Sequence, residues 1–449
     1  VVGSSIKTSF EMRDGRPVGA FLGDPVDYRT GTVPAGKVTL PARLEADIDA
    51  FVEAGVYGFG GSFLFLLDVP RARRLYLDAD GSLSAVFEPE TGRAAATAGP
   101  LLDPAAYAGR FERELYDHLA IRRDGWFPGG LTAHRGVTRL LVNHYLDLDR
   151  MAQFRHWPRA PIPETSAPAA ACARIMETAR ATIDALRGTG TVTAALTAGN
   201  ETRMLLAACH HVGPELEFVT VDAPGTRLDR VRAQELAARF GLRLRLLPLA
   251  AADAAGAEDW HARAGHCIGG PNMTSHPTIA PLETTDWFIG GLGGEIGRGF
   301  FWRPAATART VLTVGGLESR LGMPPHPRVR AALEDWLPGV QEFDPFLQLD
   351  LAYLELRMGC WAFAQAYSSP RVRHMHPLIS RESFAAMLSL PPAWRREGRM
   401  VTESIRAAWP ELLDLPINRY GDYRDALHLL GRVAQEPHLV LKKLRKRFG

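Results

Sequence analysis

The sequence predicts an α/β fold in two domains, a β-rich N-terminal part followed by a part built on a parallel sheet. Three observations predict it. Short apolar runs of strand length crowd residues 1–135, and a proline-rich stretch interrupts the chain at 156–171. Beyond it, strand and helix patterns alternate at the spacing of crossover units. The boundaries read as a first domain over 1–150, a linker over 151–171 and a second domain over 172–449. At 449 residues and 46% hydrophobic, the chain is long enough to form more than one core.

The elements follow in order. Gly61–Val69, GSFLFLLDV, has the length and aromatic content of a buried strand. Arg73–Thr97 reads as three strands separated by an Asp-Gly and a Thr-Gly turn. Tyr107, Phe111, Leu115 and Leu119 recur every four residues, so 104–122 reads as one helix. The linker core, 156–171, holds four prolines and suits neither helix nor sheet. Helix is then expected over Ala173–Leu186, strand over Thr191–Thr197 and helix over Arg203–His211. Strand follows over Leu216–Asp222, helix over Leu228–Phe240 and strand over Leu242–Leu249. From about Asp344 the pattern is helical, broken by Pro377, Pro391, Pro392, Pro410 and Pro416.

Composition excludes several classes. Lys+Arg is 52 and Asp+Glu is 50, a net charge of +2, which argues against a nucleic-acid partner. Only five of the basic residues are lysine, and none lies between Lys37 and Lys442. A Schiff-base or phosphate-loop lysine is therefore excluded from the middle of the chain. The four cysteines, Cys172, Cys209, Cys267 and Cys360, form no CxxC pair, so reduced thiols in a cytoplasmic protein are expected. No apolar run reaches the ~20 residues of a membrane span, and VVGSSIKTSF lacks the order of a signal peptide. The tail Lys442, Lys443, Arg445, Lys446 and Arg447 offers either weak contact with a membrane surface or a solvated helix end.

The sharpest local feature is LTAGNETR, Leu196–Arg203, between a predicted strand and its helix. Small residues there let backbone amides and the helix N-terminus approach an anion. Thr197, Ala198, Gly199, Asn200, Glu201 and Thr202 resemble, one for one, the SGGxDS loop of the asparagine synthetase-like family. That family includes asparagine synthetase, β-lactam synthetase and lasso-peptide cyclase types. About a hundred residues later, FIGGLGGEIGRG places Gly291, Gly293, Gly294 and Glu295 in the family's SGxGxDE pattern. HPLISRE, His376–Glu382, is similar to its PFLD segment with Ser380 for the aspartate, and LPINR, Leu415–Arg419, to its LPxxxxR segment. The stretch from GSFLFLLDV to LSAVFE resembles the glutamine-hydrolysing domain, and NHYL, Asn143–Leu146, a segment of bacterial relatives from surface-polysaccharide contexts. The matches run in the family's order over most of the chain.

The resemblance implies an N-terminal glutaminase-type domain and a C-terminal ATP pyrophosphatase-type domain. ATP would lie across the strand ends. A substrate carboxylate would become an acyl-adenylate, an amine would displace AMP, and pyrophosphate would leave with Mg²⁺. Thr197, Ala198, Gly199, Asn200, Thr202, Gly291, Gly293 and Gly294 would hold the nucleotide, and Glu201 and Glu295 would assist the metal. Each glutamate reads equally as a surface or ion-paired residue. Asp222, ending the second strand, is either a hydrogen-bond acceptor for ribose or adenine or the cap of the next turn. Tyr353, Arg357 and Trp361 share a helix face, which in relatives lines the substrate side and otherwise is packed arginine on aromatic rings. His374 and His376 form a zinc pair only with a third ligand, for which His266 and Cys267 are the candidates. His210-His211 reads as an exposed helix end. The partners implied are a small-molecule or peptide carboxylate and an amine, with a homodimer as a further expectation.

Three departures matter. The family's glutaminase nucleophile is an N-terminal cysteine, whereas no cysteine precedes Cys172, so glutamine hydrolysis is not expected. The third position of the SGxGxD pattern, ionisable in family ligases, is Leu292, which moves no proton. Family ligases keep a lysine just after the LPxxxxR arginine, but Tyr420, Gly421 and Asp422 follow Arg419 here. Arg419 is left to supply that fixed charge. A catalytically inactive nucleotide-binding or scaffold relative in a polysaccharide or peptide-modification pathway is the alternative expectation.

Overall fold

Period-2 alternation builds the first sheet. In the computed structural model, which describes residues 8–11, 17–40, 47–123, 125–269, 277–282, 284–302, 306–367 and 372–426, strand β4 (Gly60–Val69) buries Phe63, Phe65, Leu67 and Val69. The residues between them face the other way, as a pleated strand requires. Around β4 lie β1 (Thr8–Glu11), β2 (Pro17–Val26), β3 (Gly36–Thr39), β5 (Ala72–Leu77), β9 (His144–Asp147) and β10 (Ala152–Arg155). They form a seven-stranded sheet in the order β10-β9-β5-β4-β2-β1-β3, antiparallel except for the β1–β3 pair. Phe21 meets Phe63 edge-on at 4.7 Å between ring centroids, and helix α1 (Ile48–Gly55) adds Phe51 and Val52 to this core. Asp47 caps α1 by accepting from the amides of Asp49 and Ala50.

The three-strand reading of 73–97 needs correction. β5 ends at Leu77, and β6 (Val86–Glu88) does not return to it. It pairs instead with β7 (Arg93–Ala95) and β8 (Thr138–Arg139) in a separate sheet. Buried Asp78 turns the chain away, its carboxylate accepting from the amides of Phe63, Asp80 and Ser82. The single helix expected over 104–122 is two short ones, Pro104–Arg110 and Arg113–His118, because Phe111 is extended. The expected linker also contains structure. β10 forms the edge of the first sheet, and helix α2 (Pro168–Arg187) begins with proline at a first-turn position.

The strand–helix alternation is present. β11 (Val192–Ala195), helix α3 (Asn200–Ala208), β12 (Glu217–Asp222), helix α4 (Arg227–Phe240) and β13 (Arg243–Pro248) follow α2, and β14 (Trp287–Ile289) and β15 (Arg373–Met375) complete the sheet. Its order is β13-β12-β11-β14-β15, with every pair parallel. Both faces are covered, since Phe218 of β12 enters the main core while Val219 joins Leu247, Ile279 and Leu282. The main core runs through both halves of the chain, from Val26 and Leu75 to Ile175, Leu205, Trp287 and Leu412. No described helix is long and apolar enough to cross a membrane.

Candidate functional site

Strand order locates the site. β11 lies at the centre, and the chain goes from it to β12 on one side and to β14 on the other. The loops leaving the C-terminal ends of β11 and β14 therefore face each other across the reversal, where open parallel sheets bind ligands. Those loops are Leu196–Gly199 and Gly290–Glu295, the two glycine-rich motifs.

The loops are in contact. A Cβ on Gly291 would lie 2.6 Å from the Thr202 amide nitrogen and 2.7 Å from the Glu201 carbonyl carbon. Only glycine permits that approach. Gly293, with φ of +99°, turns the second loop back, so that its amide donates to Glu295 at 3.1 Å. Within the first loop the Thr197 and Thr202 hydroxyls are 2.7 Å apart, and the Gly199 amide donates to Thr197 Oγ1 at 3.1 Å. The Ala198 amide, offered to an anion by the sequence reading, donates instead to Asp229 of α4 at 2.9 Å. Asn200 and Glu201 open helix α3.

Two carboxylates converge here. Arg298 bonds Glu201 and lies 3.9 Å from Glu295. Burial and the neighbouring Glu201 charge raise the Glu295 carboxyl above its usual range. The ion-paired reading of both glutamates is therefore present, with the Arg298 guanidinium between them. Leu292 is buried. Asp222 is held by Arg230 at 3.0 Å.

Beside the first loop lies a cavity of about 120 Å³, lined by Ala195, Thr197, Val221, Asp229, Leu247 and Phe288 among others. Its lining is almost wholly apolar, and it is somewhat smaller than the roughly 150 Å³ of a cavity that takes a benzene ring.

The LPINR segment also reaches the site. The Asn418 amide donates to the Ala198 carbonyl at 2.8 Å. Two buried arginines hold the segment by its carbonyls. Arg203 donates to Leu412 at 2.7 Å and Leu415 at 3.0 Å, and Arg232 to Arg419 and Tyr420, each at 2.9 Å. Burial, with Arg232 close by, pulls Arg203 down to about 10. The Arg419 side chain is exposed, and among the described residues no ion pair holds it.

The histidine candidates do not gather into one cluster, although His376 touches the second loop. His374 packs on Phe288, and His376 lies 3.1 Å from the Gly290 carbonyl through Nδ1. His266 sits among Phe111, Tyr116 and His261, away from that pair. No group of three or more metal-binding side chains occurs among the described residues, so the zinc reading has no third ligand there. His210 and His211 are exposed, as expected. The basic tail lies outside the described residues, as does the side chain of Trp361.

Asp229 and the Arg298 clamp went unnoticed in the sequence. Arg298 had a signal, standing three residues after Glu295. Asp229 had none, since it meets Ala198 only through the fold. No protein-family model matches the chain, and no curated protein matches it.

Proposed function

We propose that the protein is an ATP-dependent ligase of the asparagine synthetase-like kind, which adenylates a carboxylate and joins it to an amine without hydrolysing glutamine. In this reading residues 1–150 are a degenerate glutaminase-like domain, 151–171 a linker and 172–449 the ATP-binding domain of a cytoplasmic enzyme. One observation carries the proposal. The two glycine-rich loops lie in contact at the strand-order reversal, beside a small, largely apolar cavity.

The roles follow from position. Adenine would enter the cavity, and Thr197, Gly199 and Thr202 would face the pyrophosphate. Glu201 and Glu295 fit Mg²⁺, which takes one or two carboxylates and leaves its other positions to phosphate oxygens and water. Bound there, the metal would neutralise phosphate charge. Arg298 would have to leave Glu201 as it entered. Exposed Arg419 is free to meet the charge that develops on the leaving phosphate. All four cysteines are buried, and burial pushes the thiols of Cys172 to about 11 and of Cys209 and Cys360 to about 12. Thiols held that high are poor nucleophiles near neutral pH.

A second reading, an inactive nucleotide-binding or scaffold relative, is favoured by the Arg298 clamp and by Asp229 on the Ala198 amide. One assay separates the two. With ATP, Mg²⁺, a panel of carboxylates and hydroxylamine as the amine, the ligase releases AMP and pyrophosphate. ATP binding without turnover would favour the second reading, and no ATP binding would sink the ligase and the nucleotide-binding readings and leave only a scaffold.

A further inference from the structure

The guanidinium of Arg357 is held by rings rather than by acids. It lies 4.8 Å from the ring centroid of Phe300, 5.3 Å from that of Trp126 and 5.8 Å from that of Tyr353. Among the described residues no hydrogen bond or ion pair to it is found, and its Nε is buried without a partner. Arginines elsewhere in this chain do meet acids, as Arg155 meets Glu355 and Arg395 meets Asp350. A half-buried cation without an anion keeps its desolvation cost, which ring faces offset only in part.

The backbone is built to hold this arrangement. Residues Leu354–Met358 form a π-helical turn following helix α5 (Pro345–Tyr353). Such turns recur at functional sites, because the wider spiral releases carbonyls and re-aims side chains. Here the Leu356 carbonyl accepts from Trp126 Nε1 at 3.0 Å, so the turn fixes both the cation and one wall of its cage. The cage opens on the Phe300 side, where that ring is 46% exposed. It also adjoins the carboxylate pair. After burial itself, Glu295 is the largest influence raising the Tyr353 phenol, and Arg357, Glu201 and Arg298 all act on it.

We propose that the Arg357 cage binds a carboxylate of the substrate next to a flat apolar group, as in an aromatic amino acid or a peptide ending in one. The guanidinium forms paired hydrogen bonds with a planar carboxylate, and Phe300 offers a face for the ring. This carboxylate is not the one that reacts, because a carboxylate pinned by arginine is a poor nucleophile. Its description as substrate rests on the ligase reading, whereas its binding does not.

The test uses the full chain without ATP and compares N-acetyl-L-phenylalanine with its neutral amide by isothermal titration. The acid is expected to bind about tenfold or more tighter than the amide. Arg357→Gln removes that preference, Arg357→Lys keeps part of it, and Phe300→Ala weakens both probes alike. Mg·ATP affinity stays unchanged in Arg357→Gln. Equal binding of the two probes, no binding of either, or a preference surviving in Arg357→Gln would overturn the proposal. So would equal loss of acid and ATP, which would give the guanidinium to the polyphosphate. Melting curves check each variant's fold, and Arg357→Lys with Phe300→Ala carry the test if Arg357→Gln does not fold. Failure of the wild type to bind ATP would sink the ligase reading and leave the cage standing.

Discussion

Glu201 and Arg298 make opposite predictions at one locus. Glu201 supplies half of a carboxylate pair, and Arg298 neutralises it. If the pair takes a divalent cation, Glu201→Ala weakens Mn²⁺ binding by about tenfold or more, the usual scale for losing one support of a metal site. Arg298→Gln acts the other way, because it frees both carboxylates and raises the affinity for Mn²⁺ added without nucleotide. A titration followed by Mn²⁺ paramagnetic resonance reads both. Two variants that move the affinity in the same direction would remove the metal assignment. Glu201 and Glu295 stood in recognisable loop patterns. Their closeness did not, because charge repulsion across 94 residues of chain appears only when β11 and β14 lie side by side.

Loops and the helices they open decide how the motifs meet. Gly291 packs directly on the first turn of α3, with no room for a methyl group. Gly291→Ala would force the two loops apart, since backbone atoms cannot swing aside as a flexible side chain does. Nucleotide affinity is expected to fall by at least about tenfold, while the unfolding free energy from urea titration falls by the ordinary amount for a tight site, about 1–3 kcal/mol. Unchanged nucleotide binding in a folded Gly291→Ala protein would show that the loop contact is not part of a site. At this scale the outer part of the parallel unit is legible in the local pattern, whereas helix α3 begins and ends three residues before the expected Arg203–His211. Helix α4 and strands β12 and β13 begin and end within one residue of expectation. Period and turn residues suffice there, because each crossover is local. The β5–β6 hairpin failed for the opposite reason. Its partner choice depends on Asp78, whose hydrogen bonds reach back to Phe63.

Buried histidines shape the stability of the whole molecule. His134, His261 and His376 lie inside, and burial takes each down to about 4. His156, buried between Glu53 and Tyr57, is also lowered, burial outweighing the Glu53 charge. The folded protein keeps these rings neutral, whereas the unfolded chain protonates them near 6.5. The unfolded state therefore binds more protons below that value. Stability is whole above about pH 6.5 and falls progressively as pH drops toward 4. The urea midpoint at pH 5 is expected to lie below that at pH 7, with proton uptake on unfolding. A midpoint flat across that interval would contradict the neutral, buried assignment. Buried Glu355, bound by Arg155 at 2.5 and 2.6 Å, Asn143 at 3.0 Å and Trp336 at 2.7 Å, adds a second loss lower still. Its carboxyl is held below the usual range against burial by Arg155, so its contribution lasts until pH falls through that lowered value.

The sequence by itself determined the mixed α/β class, the strand–helix alternation from Ala173 to Leu249, and the two glycine-rich loops, but not β15, which falls where the pattern reads as helical. Each rests on local spacing or on residues a few positions apart. Only the tertiary structure decided that the loops touch, that Asp229 takes the Ala198 amide, that Arg298 clamps the carboxylate pair and that, among the described residues, rings rather than acids hold Arg357. Apart from Glu295 near Arg298 and the Tyr353 ring beside Arg357, those contacts join residues 31 to more than 200 positions apart. They exist because strand order, not proximity in the chain, sets which loop ends meet. Charge and exposure at the site follow from that meeting. The lysine-free interval illustrates the same division. Composition showed where no lysine stands, and the fold showed which arginines stand by the first loop instead, Arg298 on Glu201 and Arg419 next to Asn418, which bonds Ala198.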